Sequence, residues 1–183
     1  MLATRDTDAH RPVIMMAEDE GRFGRISEMR RCWAPKPIRP TVPRQVVREW
    51  VYVFAAVCPQ LGQLTALILP YANTHMMTLL RKQVAVDFQE YFIVMVVDRA
   101  KWHMSTTLQI PDNLRLLPLP AASPELNPAE HLWDHLRENE GANHLLESLD
   151  HVESALDTGI KRLASQPERL RSLTNFPYMK VGL

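Results

Sequence analysis

The sequence predicts an α/β domain, a mixed sheet covered by helices. Two observations carry that prediction. Short apolar runs, rich in β-branched and aromatic residues and closed by Pro, Gly or charge, alternate with stretches whose apolar residues recur every three or four positions. A length of 183 residues also suffices for one domain with a buried core and leaves little room for a second.

Strands are expected at 13–17, 50–57, 64–69 and 91–97, with a shorter fifth at 114–117. The second and third flank Cys58-Pro59-Gln60-Leu61-Gly62-Gln63, whose Pro and Gly suit a hairpin, so these two should run antiparallel. A helix is expected over 73–88, capped by Asn73 or Thr74, with Met76, Leu79, Leu80, Val84 and Phe88 at helical spacing. A short helix is expected after Asp98. Another should run from Pro124 to about 139, its stripe of Leu126, Ala129, Trp133 and Leu136 facing the core. A last helix over 148–164 should end before Gln166-Pro167. The expected organisation is an N-terminal extension at 1–12, the α/β domain at 13–165 and a C-terminal tail at 166–183. Met15, Met16, Met76, Met77 and Met95 are expected to fill the core.

Composition excludes several classes. Apolar residues make up 46% and charged residues 23%, as in a folded globular chain, and no run reaches the roughly 20 apolar residues that span a bilayer. No apolar segment follows Met1-Leu2-Ala3-Thr4-Arg5-Asp6, so a signal peptide is not expected and a cytoplasmic setting is. Cys32 and Cys58 stand in no metal-ligand spacing, which excludes a zinc cluster or disulfide framework. The motifs GxxxxGK[ST] and GxGxxG are missing, and His131 and His135, four apart, lack the HExxH context and turn away from the apolar stripe.

The formal net charge is zero, yet the charges are segregated. Between residues 22 and 48 lie eight bases (Arg22, Arg25, Arg30, Arg31, Lys36, Arg39, Arg44, Arg48) against one acid, Glu28; between 125 and 157 lie nine acids against Arg137. Such a basic segment either meets nucleic-acid phosphates or is a solvated loop. Within it, Trp33 either sets the segment against DNA or packs it, packing being the expectation.

Three acids stand at structurally telling places. Asp19 follows the first apolar run, Asp98 closes 91–97, and Glu130 follows the proline-stiffened stretch from Leu119-Pro120 through Ser123-Pro124-Glu125-Leu126-Asn127-Pro128-Ala129. If the first and fourth strands lie side by side and parallel, Asp19 and Asp98 share one sheet edge. Hard divalent cations take such oxygen ligands, and two of them about 3.5–4 Å apart serve phosphodiester cleavage. Each acid also has a plainer reading. Asp19 could be a turn residue, with Glu18 and Glu20 as rivals for any ligand role. Asn127 to Glu130 reads as a capping box, with Asn127 as N-cap and Glu130 at N3, which taken alone is the favoured reading. Asp134 and Arg137 share the flank of Glu130 and could orient it. His103, five residues after Asp98, either assists the site or packs.

Taken together, Asp19-Glu20, Trp33-Ala34-Pro35-Lys36, Val97-Asp98-Arg99-Ala100-Lys101-Trp102-His103, and Leu119-Pro120 through Ser123-Pro124-Glu125-Leu126-Asn127-Pro128-Ala129-Glu130 to Trp133 resemble the catalytic domain of IS630-type transposases of the Tc1/mariner superfamily. The similarity runs over about residues 13–140. The resemblance implies an RNase H-like fold and a DDE triad on Asp19, Asp98 and Glu130, the last two separated by 31 residues. It also implies Mg²⁺ (Mn²⁺ as substitute) at the triad, cleavage of element ends by water, and attack of the freed 3′-hydroxyl on target DNA. His103, Asn127, Asp134 and Arg137 would support the triad, and the basic segment would contact DNA. The chain departs from the family at Arg99 and Pro37, where Asn and Gly are common. Only 18 residues precede Asp19, so the implied helix-turn-helix modules would come from a separate polypeptide, with a homodimer forming on DNA. The alternatives are an idle transposase fragment that binds DNA or full-length transposase, and another RNase H-like nuclease.

The charge pattern yields a test. Neutralising Arg30 and Arg31 together should weaken DNA binding similarly across sequences and reduce the slope of log K against log salt by about 1–2 units. Unchanged affinity in a salt titration would remove the segment from the interface.

Overall fold

The computed structural model describes residues 11–27, 29–141 and 145–180. Five strands, β1 (Val13–Ile26), β2 (Val46–Cys58), β3 (Gln63–Leu69), β4 (Phe92–Val97) and β5 (Leu114–Pro118), form one sheet in the order β3-β2-β1-β4-β5. β2 pairs antiparallel with β1 and β3, and β4 pairs parallel with β1 and β5. This is the expected mixed sheet, hairpin included. The hairpin turns at Gly62, whose φ of 64° lies in the left-handed region where a Cβ is disfavoured.

The first two strands are longer than the apolar runs that announced them, because the backbone ladder continues beyond the buried residues. Phe23 still pairs with Val51 and Gly24 with Trp50, and a bulge follows between Gly24 and Ile26. The basic segment therefore begins and ends in strand, and only its middle is loop.

Helices α1 (Thr74–Asp87), α2 (Glu130–Leu136), α3 (Leu149–Ala164) and α4 (Pro167–Thr174) cover both faces. α1 begins where Asn73 accepts from the Met76 N–H, as expected. Its buried stripe is Met77, Leu80, Arg81 and Val84 rather than one through Met76 and Leu79, the latter being exposed. α3 is capped by Ser148, which accepts from the His151 N–H. Two expectations are corrected. No helix follows Asp98, since 98–104 is a series of turns. The single helix from Pro124 is three pieces: a 3-10 turn at Pro124–Leu126, α2, and a π-helical turn at Arg137–Gly141. The tail carries α4 and the 3-10 turn Pro177–Met179, whose Leu170 and Met179 join the core, so the described part of 166–183 packs on the domain.

Strand alternation sorts the core into two layers. Met15, Ala17 and Val96 face α2, α3 and α4 with Trp133, Leu136, Leu156 and Leu163. Ile14, Met16, Met95 and Val97 face α1 with Met77, Leu80 and Val84. Met15, Met16, Met77 and Met95 are buried as core filler, whereas Met76 is half-buried. None of the helices among the described residues is long and apolar enough to cross a membrane.

Gly21 is the tightest point where α2 meets β1. A Cβ there would stand 2.6 Å from the Phe23 ring and 2.8 Å from the Trp133 indole. Gly21→Ala should therefore cost about 1–3 kcal/mol through overpacking. Denaturant unfolding would show it, and an unchanged midpoint would mean that the two rings give way freely.

Candidate active site

The register of β1 and β4 brings two of the acids together. Ala17 pairs with Val96 in parallel, and Asp19 and Asp98 each follow two residues later. By the period-two alternation of strands both share the face of Ala17 and Val96, the one covered by α2. Glu130 opens α2 on that same face. All three acids line one cleft of about 390 Å³, with Arg99, Leu119 and Asn127.

Asn127 sets the entry of α2. Its Nδ2 donates to the Glu18 carbonyl at 3.0 Å, and its Oδ1 accepts from the Ala129 N–H at 3.1 Å. The expected capping box does not form: the Asn127 N–H donates to the Pro124 carbonyl instead of meeting Glu130. The Glu130 carboxylate is thereby left to the cleft. Arg99 Nε donates to the Leu119 carbonyl at 2.9 Å, tying the end of β4 to the cleft wall.

The three carboxylates differ electrostatically. Burial, offset by a 2.7 Å hydrogen bond from Trp133 Nε1 and reinforced by the charge of Glu130, raises Asp19 from 3.8 to about 7. Glu130 is also raised, first by burial, then against Arg137 and with the charges of Asp134 and Asp98. Asp98 is lowered, chiefly by its hydrogen bond with His103. Buried acids that raise one another are the condition a divalent cation relieves, and three oxygen donors suit a hard one. Asp19, Asp98 and Glu130 offer the oxygen donors such a metal takes, set wider apart than the 4.8 Å within which the donor atoms of Glu18, Glu20 and His103 gather.

Glu18 and Glu20, the sequence rivals of Asp19, point to the opposite face. Glu18, Glu20 and His103 offer donor atoms within 4.8 Å of one another, a grouping that could itself hold a cation. The charges nearby argue against it. His103 Nε2 lies 3.1 Å from Glu20 and 3.3 Å from Glu18. Burial pulls the imidazole down, but hydrogen bonds to Asp98 and Glu20 and the charge of Glu18 lift it to about 10. The fully buried Arg81 guanidinium, lowered to about 10 by desolvation, adds a second positive charge against Glu18 and Glu20. These two cationic groups stand where the charge of a metal would act, although Glu18 is itself raised well above its usual value, first by burial and then by Glu20, and its carboxylate oxygens take no hydrogen bond.

The other expected site residues scatter. Asp134 is exposed at the outer end of this flank, and Arg137 lies over the Phe23 ring at 5.4 Å. Of the basic segment, Arg22, Arg30, Arg31, Lys36, Arg39, Arg44 and Arg48 are exposed, Arg22 lying over Trp50. Arg25 instead donates to the Leu146 carbonyl at 2.8 Å and pairs with Glu49 at 2.7 Å, so it serves packing. Glu28 lies outside the described residues. Trp33 is fully exposed, against the expectation that it packs the loop. His131 is exposed and its Nδ1 donates to the Leu173 carbonyl at 2.7 Å, as a surface histidine can. Three residues near the site escaped the sequence reading: Trp133 as partner of Asp19, Arg81, and Trp102, which donates to Glu20. Helical spacing marked Trp133 as core, but not that its N–H meets an acid.

A sequence profile of the DDE superfamily endonucleases matches residues 15–153. The chain belongs to that family. A Sinorhizobium fredii protein named "Uncharacterized protein y4pE/y4sA" is 34% identical over 125 residues, covering 68% of this chain and 93% of that one. Among solved structures, the pre-cleavage Mos1 transpososome superposes with a TM-score of 0.61 at 16% identity, over 93% of this chain and 56% of the Mos1 chain. The magnesium-bound HTLV-2 integrase catalytic core in its dimeric form gives 0.50 at 9% identity, over 86% of this chain and 87% of the other. The fold is thus that of transposase and integrase catalytic cores, the RNase H-like fold expected. The chain spans little more than half the length of the Mos1 transposase chains it matches.

Because Asp19 is raised in the folded chain above its unfolded value of 3.8, the native state holds that proton more tightly, so stability present below pH ~4 is lost as pH rises through about 7. Asp19→Asn keeps an acceptor for Trp133 and removes the charge. In metal-free buffer its Tm should exceed that of the parent at pH 8, by roughly 2–4 °C for each kcal/mol relieved, and converge with it near pH 4. A difference in melting temperature that ignores pH would refute this assignment.

Proposed function

We propose that this domain is the catalytic core of a Tc1/mariner-type DNA transposase, with Asp19, Asp98 and Glu130 as the ligands of catalytic divalent metal, Mg²⁺ in the cell and Mn²⁺ as substitute. The observation that carries this reading is the convergence of the three acids on one cleft from β1, β4 and the start of α2. When bound, such cations supply Lewis acidity at a phosphate oxygen and stabilise both the attacking and the leaving oxygen. The protein supplies position. Asp19 stands in β1 just past its parallel pairing with β4 and Asp98 at the end of β4, Trp133 holds the Asp19 carboxylate by Oδ2, and Asn127 fixes the approach of Glu130. Arg137 offsets part of the effect of burial on Glu130.

Membership in an endonuclease family assigns the cleavage of DNA. Strand transfer is supported by the likeness to the Mos1 strand transfer and paired-end complexes: the 3′-hydroxyl freed at an element end would attack target DNA, two copies of the domain acting on paired ends. Of the bases in the β1–β2 connection, the seven exposed ones form the surface that meets phosphates, and Arg25 does not belong to it. The α/β domain of this reading runs over residues 13–165, with α4 and the tail packed on it. Its place of action is DNA in the bacterial cytoplasm.

The test is nicking of element-end DNA with Mn²⁺ or Mg²⁺, beside Asp19→Asn, Asp98→Asn and Glu130→Gln. Each substitution should lower the single-turnover rate by about 100-fold or more, beyond the 10–100-fold typical of residues that only support a metal site. Equal nicking by Asp98→Asn and the parent would remove Asp98 from the chemistry and sink the triad.

A further inference from the structure

On the α1 side of the sheet, behind the cleft, lies a buried group to which the chemistry above assigns no role. His103 is 2% exposed and bridges the ends of two strands. Its Nδ1 is 2.7 Å from Asp98 Oδ1 and 3.3 Å from the Asp98 carbonyl, and its Nε2 is 3.1 Å from Glu20 Oε1 and 3.3 Å from Glu18 Oε2. Glu20 Oε1 also accepts from the Trp102 indole N–H, which can only donate. An ionised Asp98 can only accept, so Nδ1 carries a proton toward it. The ring is therefore clamped at one end by Glu20 and grips Asp98 with the other.

A second donor reaches the same oxygen. The Ala100 N–H donates to Asp98 Oδ1 at 2.8 Å. Two donors converge on Oδ1, and Oδ2 takes no hydrogen bond from the described residues. Without this hold the carboxylate, half-exposed at the end of β4, would turn about a broad torsion.

We propose that His103 is a positioning residue of the active site: held by Glu20 and Trp102, it fixes Asp98 Oδ1 so that Oδ2 is the oxygen presented to the divalent metal. The proposal rests on the reading of Asp98 as a metal ligand. It predicts a geometric asymmetry between two substitutions of similar size. Asn at 103 places an amide nitrogen where Nδ1 stands and can still hold Asp98, whereas Gln places its amide near Nε2 and cannot.

The experiment measures Mn²⁺ affinity of the full chain, without DNA, by calorimetry and by the electron paramagnetic resonance of free Mn²⁺. His103→Gln should weaken binding by about 10–100-fold, and His103→Asn should recover most of that loss. At the far end of the clamp, Glu20→Gln keeps an acceptor for the ring and for Trp102, and should bind Mn²⁺ more tightly than Glu20→Leu. Thermal melts establish which variants fold; if His103→Gln does not, the Glu20 pair decides. Equal affinities within the deciding pair overturn the positioning role. Asp98→Asn separates the two levels of the reading. Unchanged Mn²⁺ affinity there overturns Asp98 as a ligand and the proposal with it. Loss there, alongside parental affinity in His103→Gln, overturns the positioning role alone.

Discussion

Residues equally far beyond the last pair of two parallel strands emerge at the same end of the sheet and on the same face, and the pairing of Ala17 with Val96 uses this to set Asp19 beside Asp98. A slip of one residue would send Asp98 to the α1 face, among Ile14, Met16 and Val97. Over the paired stretch both strands are mostly buried, so any such slip would also turn a whole apolar set toward the wrong layer. The core and the site are thus held in register by the same ladder. On the other side of β1, Ala55 and Ala56 of β2 stand opposite Asp19 and Glu18, their small side chains leaving room for the acids.

Three consecutive acids inside a buried strand carry a high desolvation cost, and the two faces meet it differently. On the α1 face, Glu18 and Glu20 face His103 and Arg81, a set closed to solvent. On the α2 face, Asp19 has one neutral donor, Trp133, and the charge of Glu130 nearby. The first arrangement sets bases against acids, though burial still raises Glu18 well above its usual value. The second is left short of positive charge, the condition that the proposed metal would relieve. Position along the strand is nearly the same; the difference lies in which helix covers each face.

The third acid arrives from far along the chain, and its placement depends on a single amide. Asn127 reaches back to the Glu18 carbonyl and turns its other side to the Ala129 N–H, locking the start of α2 to β1 within one residue of Asp19. Gly21 and the Phe23–Trp133 contact, an edge-on pair with centroids 6.0 Å apart, let α2 come close enough for the indole to reach Asp19.

Local pattern in the sequence was sufficient for the strand count, the hairpin, the cap at Asn73 and the three acids, because each of these is local: alternation, turn chemistry and capping are decided by residues within a few positions of one another. Order in the sheet and the parallel β1–β4 pairing belong to the tertiary structure, since they depend on contacts across some eighty residues of intervening chain. The same holds for the choice among Glu18, Asp19 and Glu20. Strand parity separates Asp19 from its neighbours, but only the packing of α1 and α2 says which face is cleft and which is interior. It holds again for Glu130, where a capping box is locally adequate and a tertiary bond from Asn127 to β1 displaced it, and for Trp33, whose exposure no local pattern reveals. Short-range geometry named the elements and the acids; the long-range ladder and the helix packing decided how the acids meet.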